Sequence, residues 1–283
     1  MAGIRNGVAA QICAEEPRAM FSHCYGHALN LATSDTVKNN KILRDVLDTV
    51  FEITKLLKFS PRRDAMFTKL KQEIAPGTPG FRTLCPTRWT VRAASLKSVI
   101  DNYLVFQALL EEVKDTVTDS EIQARVIGVE ATMNRFDFLF GLVLGERLLQ
   151  HTDNLSKTLQ APSLTASEGQ QVADLTHQTL CRIRTTEAFD LFWEKVQRLQ
   201  REYSVDEPRL PRKRKAPRHL EVGCGESFHP STAKEFYSQQ YFECLDFVTS
   251  AIQDRFDQPG YKTLIQLENL LLKATRGDTY TNE

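Results

Sequence analysis

Apolar residues recur at steps of three and four along almost the whole chain, and period-two alternation is nearly absent. That periodicity confines the fold to packed amphipathic helices. Leu43, Val46, Leu47, Val50, Thr54 and Leu57 form one stripe from Lys41 onward. Ser60-Pro61 then reads as an N-cap with proline at the first helical position, opening a helix through Met66, Leu70 and Ile74. Pro76, Gly77, Pro79 and Gly80 end it. Thr87 is the expected cap of a long helix in which Leu96, Val99, Tyr103, Phe106, Leu110 and Val113 keep an a/d rhythm. An internal bundle helix explains that rhythm better than a coiled-coil dimer does.

Further helices are predicted over 120–133, 136–160, 172–184, 189–203, from a cap at Ser231 through Phe256, and 264–271. The 136–160 segment is the most apolar. Its Gly141 and Gly145 make a small-xxx-small pair that suits close helix packing. A short helix over 7–15 is expected to turn Val8, Ile12 and Cys13 inward, and Ala19–Ser22 reads as a strand-like lead. No internal repeat is found.

The 283 residues are 41% hydrophobic and 25% charged, enough for a real core rather than a disordered chain. Lys+Arg and Asp+Glu both total 36, so any nucleic-acid contact has to come from a local patch rather than a basic surface. Six scattered cysteines show no disulfide spacing and point to a reducing compartment. Residues 1–20 lack the apolar stretch of a signal peptide. The longest apolar runs fall far short of the ~20 residues of a membrane span, so a soluble protein is expected.

Chemistry-bearing residues concentrate in Phe21–Ala32, FSHCYGHALNLA. On a helix starting near Cys24, the side chains of Cys24, His27, Ala28 and Leu31 share one face. Cys24 and His27 read either as half a zinc site or as a small hydrophobe beside a packed histidine. Zinc needs two more ligands, and the other close pair, Cys224 and His229, is some 200 residues away, so packing is favoured. Arg88-Trp89 offers a flat π-face for a base and a guanidinium for a phosphate. It equally reads as a helix start anchored on the core. Arg212, Lys213, Arg214 and Lys215, in a proline-broken stretch, match a nuclear-localisation string, a phosphate-contacting loop or a solvated loop. Nucleotide-binding glycine motifs, a G-x-S-x-G elbow and H-E-x-x-H are all missing.

The His-Cys-x-x-His-x-Leu-Asn-Leu string resembles the hAT superfamily of DNA transposases and the cellular proteins descended from them. Ser60-Pro61-x-Arg63, Thr87-Arg88-Trp89, Leu155-Ser156-Lys157-x-Leu159-Gln160 and Pro208-Arg209 follow in the family's order. The resemblance runs over essentially the whole chain and points to the zinc-finger MYM-type protein 1-like and THAP-domain repressor-like branch. It implies a ribonuclease-H-like core interrupted by a large helical insertion, with two catalytic Asp upstream of the Cys-x-x-His string and a Glu beyond the insertion. Residues 1–20 contain no Asp, and the Glu segment is expected to be missing too. The resemblance further implies that Trp89 contacts an unstacked DNA base, that Arg88 supports it, and that His27 lies near the same DNA end.

The expected fold is mainly α, a helical insertion domain with a small α/β remnant at the N-terminus. Residues 1–58 form that remnant and its junction helices, 59–204 the insertion, 205–230 a basic proline-rich loop, and 231–283 its last helices. The expected function is that of a catalytically incomplete, transposase-derived nuclear protein, not itself an enzyme. It would bind DNA or protein partners, with no cofactor, metal, membrane or small-molecule substrate. The alternatives are a fragment of an active transposase, cutting and joining DNA with Mg²⁺, and a pure protein-interaction scaffold.

Overall fold

The structure, a computed structural model, describes residues 7–85, 92–211 and 230–276. These form twelve helices, and no strand occurs among the described residues. In chain order they are α1 (Val8–Glu15), α2 (Tyr25–Asn39), α3 (Lys41–Lys58), α4 (Pro61–Ile74), α5 (Arg92–Asp101) and α6 (Tyr103–Thr116). Then come α7 (Ser120–Met133), α8 (Phe136–Leu159), α9 (Ala166–Arg182), α10 (Thr186–Glu202), α11 (Ala233–Phe256) and α12 (Pro259–Arg276). The mainly helical expectation therefore holds. The strand-like lead over Ala19–Ser22 is irregular backbone, since no described strand lies beside it to complete a ladder.

The bundle is built around α8. Both flanks of this helix are buried from Phe136 to Gly145, and it packs against α2, α3, α5, α7, α9, α10 and α11. Two glycines permit that density. A Cβ on Gly141 would lie 2.4 Å from Ile42 Cγ2 and 2.8 Å from Val46 Cγ2. One on Gly145 would lie 2.9 Å from Leu96 Cδ1. α3 and α5 thus rest directly on the α8 backbone, as the glycine spacing suggested.

α3 presents the predicted stripe, with Leu43, Val46, Leu47, Val50, Thr54 and Leu57 all buried. Asn40 starts it by accepting a hydrogen bond from the Leu43 N–H at 3.0 Å. Ser60 and Pro61 open α4 as read from the sequence. α11 is capped one residue later than expected, by Thr232, while Ser231 instead donates to Glu235. α9 begins ahead of its apolar stripe because Thr165 and Glu168 form a reciprocal capping box.

The expected single helix through Leu96–Val113 is two helices. Asn102, 1% exposed, separates α5 from α6. Its side-chain amide donates to the carbonyls of Ser98 (2.8 Å) and Pro79 (3.0 Å). These bonds fasten the Pro79–Gly80 loop to the break, and an apolar rhythm that continues across it could not reveal them. α1 buries none of its residues, and Val8 and Ile12 are exposed. The inward orientation expected of them is therefore incorrect: an eight-residue helix lying outside the core offers those side chains nothing to pack on.

A second cluster joins α8, α10 and α11 through Phe136, Phe140, Phe192, Trp193, Tyr237 and Tyr241. Phe140 meets Phe192 edge-on at 5.4 Å between ring centroids and Tyr237 at 4.8 Å. The Tyr237 hydroxyl bonds to Asp137 and that of Tyr241 to the Ile183 carbonyl at 2.8 Å. These bonds satisfy the polar ends of otherwise buried rings. Among the described residues no helix is long and apolar enough to cross a membrane.

Two glycines give opposite expectations. Gly141→Ala should lower stability, since overpacking against Ile42 and Val46 costs ~1–3 kcal/mol and exceeds the ~1 kcal/mol helix-propensity gain. Gly128→Ala on α7, where an added Cβ meets nothing within 4 Å, should raise it by up to ~1 kcal/mol. Urea-denaturation midpoints of the two variants, moving in opposite directions from the parent, check both.

Candidate nucleic-acid interface

The Cys-x-x-His stretch enters α2 through an extended Cys24, the N-cap residue, whose thiol makes no capping bond. Consecutive residues on an α-helix are 100° apart. The face that packs on α8 and α11 carries Ala28, Leu29, Ala32, Thr33 and Thr36, all buried. His27 lies roughly opposite that face, and Cys24 is exposed at the helix start. The expectation that both pack inward is therefore corrected. Burying threonines selects the other face: Thr33 and Thr36 donate their hydroxyls to the Leu29 (3.0 Å) and Ala32 (2.9 Å) carbonyls, so their polar atoms are satisfied inside the core.

The exposed side holds a small group of rings. The imidazoles of His23 and His27 are 4.7 Å apart, and Phe21 meets His23 edge-on at 4.9 Å. Partial burial holds the His23 pKa below its usual value, and the charges of His27 and Arg255 push it the same way. Arg255 comes from α11 and pairs with Asp35 of α2 at 2.6 Å. Beneath this group Tyr25 stacks on Tyr261 at 4.6 Å and on Phe256 at 5.9 Å, and its hydroxyl donates to the Ala166 carbonyl at 2.9 Å. The first turn of α12 closes over the lead. Gly260 sits so near that an added Cβ would be 3.0 Å from the Ser22 Cβ. Phe21, His23, His27 and Arg255 together offer planar rings and a guanidinium at the surface, groups suited to stacking on bases and contacting phosphate.

Arg88 and Trp89 lie outside the described residues, as does Thr87, the cap expected of their helix. The chain on either side of them is held firmly. Ahead, the Leu84 N–H donates to Thr54 Oγ1 at 3.0 Å. Behind, the Ala93 N–H at the start of α5 donates to Asp153 of α8 at 3.1 Å. Asp153 is 5% exposed. Burial pushes its pKa up to about 6 against the opposing effects of the Ala93 N–H, Lys157 and Arg92. Burial also lowers the Arg92 pKa to about 10, a shift that Asp153 opposes. α2 and α5, the helices bearing or following the two candidate motifs, both pack on α8.

Arg212, Lys213, Arg214 and Lys215 are likewise outside the described residues. The stretch leading to them is irregular and lines, with Phe136 and Tyr237, a groove of about 570 Å³. Cations on its rim are paired with acids: Lys41 with Asp45, Arg135 with Asp137 and Arg209 with Asp206. Cys224 and His229, the second pair weighed for zinc, are not described. Among the described residues no three of His, Cys, Asp and Glu converge as a metal-holding group.

Residues 22–126 match the family model of the ZBED1 RNase-like helical domain. The matched region is thus similar to ZBED-type, hAT-transposase-derived proteins. It opens inside the Phe21–Cys24 lead, contains α2 to α6 and the Arg88-Trp89 pair, and ends within α7, covering less than half of the chain. No solved structure matches the chain.

Sequence reasoning located His27 but missed Arg255 and Tyr261, which reach the same place from more than 200 positions away. No local spacing records that meeting. Asp153 left a fainter trace, as a lone carboxylate among Leu148, Leu149, Thr152, Leu155 and Ser156 of a buried helix.

Asp153 gives a pH signature. Its folded-state pKa lies above the unfolded value of 3.8, so the native protein binds the extra proton between them and stability falls as pH rises from about 4 to about 6. Asp153→Asn keeps a carbonyl acceptor for Ala93 and removes the titration. The stability of the parent relative to this variant should decline across that interval and level off above pH 7, as denaturation at a series of pH values would show.

Proposed function

We propose that this chain is a transposase-derived, catalytically incomplete nuclear protein that binds nucleic acid, with Trp89 stacking on a base, Arg88 on a phosphate and His27 contacting the same nucleic-acid end. The observation that carries the reading is the Phe21–His23–His27 ring group at the surface with Arg255 alongside, His23 and His27 lying in the segment matched to the ZBED1 RNase-like helical domain. Structural packing leaves Phe21 and His27 exposed and His23 half-buried, and an incoming base or phosphate makes use of them. With net charge zero, binding rests on this local patch, and single-stranded or unpaired ends, whose bases are free to stack, are the preferred ligands. The Arg212–Lys215 string is assigned to nuclear import or to additional phosphate contacts. The role proposed for this region is binding rather than catalysis.

One observation favours a protein-interaction scaffold as second reading. α12 exposes Leu264, Leu267 and Leu271 at helical spacing on one side, an apolar strip suited to a partner helix.

Fluorescence anisotropy with single-stranded and duplex oligonucleotides over a range of salt separates the readings. Loss of one stacked base costs ~1–3 kcal/mol, so Trp89→Ala should weaken single-strand binding by about 5- to 150-fold. Arg88→Ala should reduce the salt slope by about one charge. Binding untouched by either change, together with retained folding, would transfer the assignment to the scaffold. Mg²⁺-dependent nicking that persists through purification would restore the enzyme.

A further inference from the structure

We propose that His23, His27, Arg255 and the Tyr261 hydroxyl form a subsite for the phosphate monoester at a nucleic-acid strand end. The proposal rests on the nucleic-acid reading above and names what that surface selects. The two imidazoles are 4.7 Å apart between ring centroids, and each becomes a donor at both nitrogens when protonated. Partial burial lowers the His23 pKa, and the only charges adding to it, those of His27 and Arg255, are cationic. Among the described residues no carboxylate offsets them at His23. Asp35 takes up one terminal nitrogen of Arg255 at 2.6 Å, and a guanidinium has further N–H donors in the same plane. Other acids on α11 and α12 are turned to other tasks. Asp257 pairs with Lys262 at 2.8 Å, Glu268 accepts the Ala166 N–H at 2.6 Å, and Asp254 lines the α2–α11 cleft with Asp35.

Tyr261 supplies the independent observation. It is 1% exposed, and its buried hydroxyl has no hydrogen-bond partner among the described residues. The ring is fixed by stacking on Tyr25 at 4.6 Å and on Phe256 at 6.2 Å. Burial pushes its pKa up to about 12, Tyr25 and Cys24 acting in the same direction and Arg255 against it. The hydroxyl is therefore a protonated donor within the field of Cys24 and Arg255. A buried donor without an acceptor costs free energy. A phosphate oxygen beside Arg255, or a water carried with it, provides that acceptor. With both imidazoles protonated and Arg255 offset by Asp35, the group holds a net charge of about +2. A phosphate monoester carries about −1.5 to −2 near pH 7, whereas each internal phosphate of a strand carries about −1. The terminal phosphate is the better match, and Phe21, edge-on to His23 at 4.9 Å, remains for the adjoining base.

Fluorescence anisotropy of the full chain with one single-stranded DNA oligonucleotide tests the subsite, using 5′-phosphorylated, 3′-phosphorylated and unphosphorylated forms. A phosphorylated form should bind about tenfold or more tightly than the unphosphorylated one near pH 6.5. Anion binding favours the protonated imidazoles, so this advantage should shrink toward pH 8, by at most about tenfold per pH unit for each proton released. His27→Gln and Tyr261→Phe should each remove most of it, while Trp89→Ala should weaken all forms alike. Tyr261→Phe keeps the ring stack and removes an unpaired hydroxyl, so its thermal midpoint should be unchanged or higher, which separates loss of the site from loss of folding. Equal binding of all forms overturns the subsite and leaves the nucleic-acid reading standing. A preference that survives His27→Gln or Tyr261→Phe also overturns it. If no form binds, the nucleic-acid reading fails, and proton NMR of the histidine C2–H signals decides the subsite. Inorganic phosphate that shifts the His23 and His27 signals upholds it, and phosphate without effect on them removes it.

Discussion

The contact of α3 and α5 with the bare backbone of α8 is the constraint on which the bundle rests. Gly141 and Gly145 leave no side chain between the helices, so Ile42, Val46, Leu43 and Leu96 fill the space a Cβ would need. Helix packing at this range gains dispersion contacts along the whole interface. It also fixes the rotation of α8, because only one side of the helix is bare. The opposite side then has to receive α10 and α11, and the Phe140, Phe192, Trp193 and Tyr237 rings fill that layer. α8 is thereby enclosed on nearly all sides, and the remaining helices are placed by what they can still cover.

The candidate interface follows from this placement. α2 turns its alanines and threonines toward α8 and α11, which leaves His27 outside. The Tyr25–Tyr261–Phe256 stack ties the start of α2 to the end of α11 and the first turn of α12. The irregular lead bearing Phe21 and His23 is consequently held at both ends: its own helix on one side, Gly260 and the α12 turn on the other. Asp153 does a related task at the start of α5 by accepting the Ala93 N–H from a neighbouring helix. A buried carboxylate used in this way costs desolvation, visible in its raised pKa, and gives in return a defined helix start where the helix's own sequence supplies no described cap.

The helices were legible because each had to turn an apolar stripe to the core, and that requirement is written at three- and four-residue spacing. α3, α7 and α8 match the sequence reading nearly residue for residue. Misreadings fell where a polar side chain took part in the core. Asn102 splits a rhythm that looked continuous. Thr33 and Thr36 enlist a face that counting only apolar residues passes over. Exposed Val8 and Ile12 show the converse, since an amphipathic pattern does not state whether anything lies against it. The similarity over residues 22–126 agrees with the family read from the Cys-x-x-His and Arg-Trp strings, at the level of ZBED-type, hAT-derived proteins.

Sequence alone determined the helical class, most helix boundaries and the chemistry available at His23, Cys24 and His27, because propensity, capping and periodicity are local. Tertiary structure decided which of those groups meet solvent and which distant residues join them. Arg255, Tyr261 and Asp153 reach their places only through the packing of α8, α11 and α12. Exposure and pairing are properties of surfaces formed by segments far apart in the chain, and no window of sequence contains both sides of such a contact.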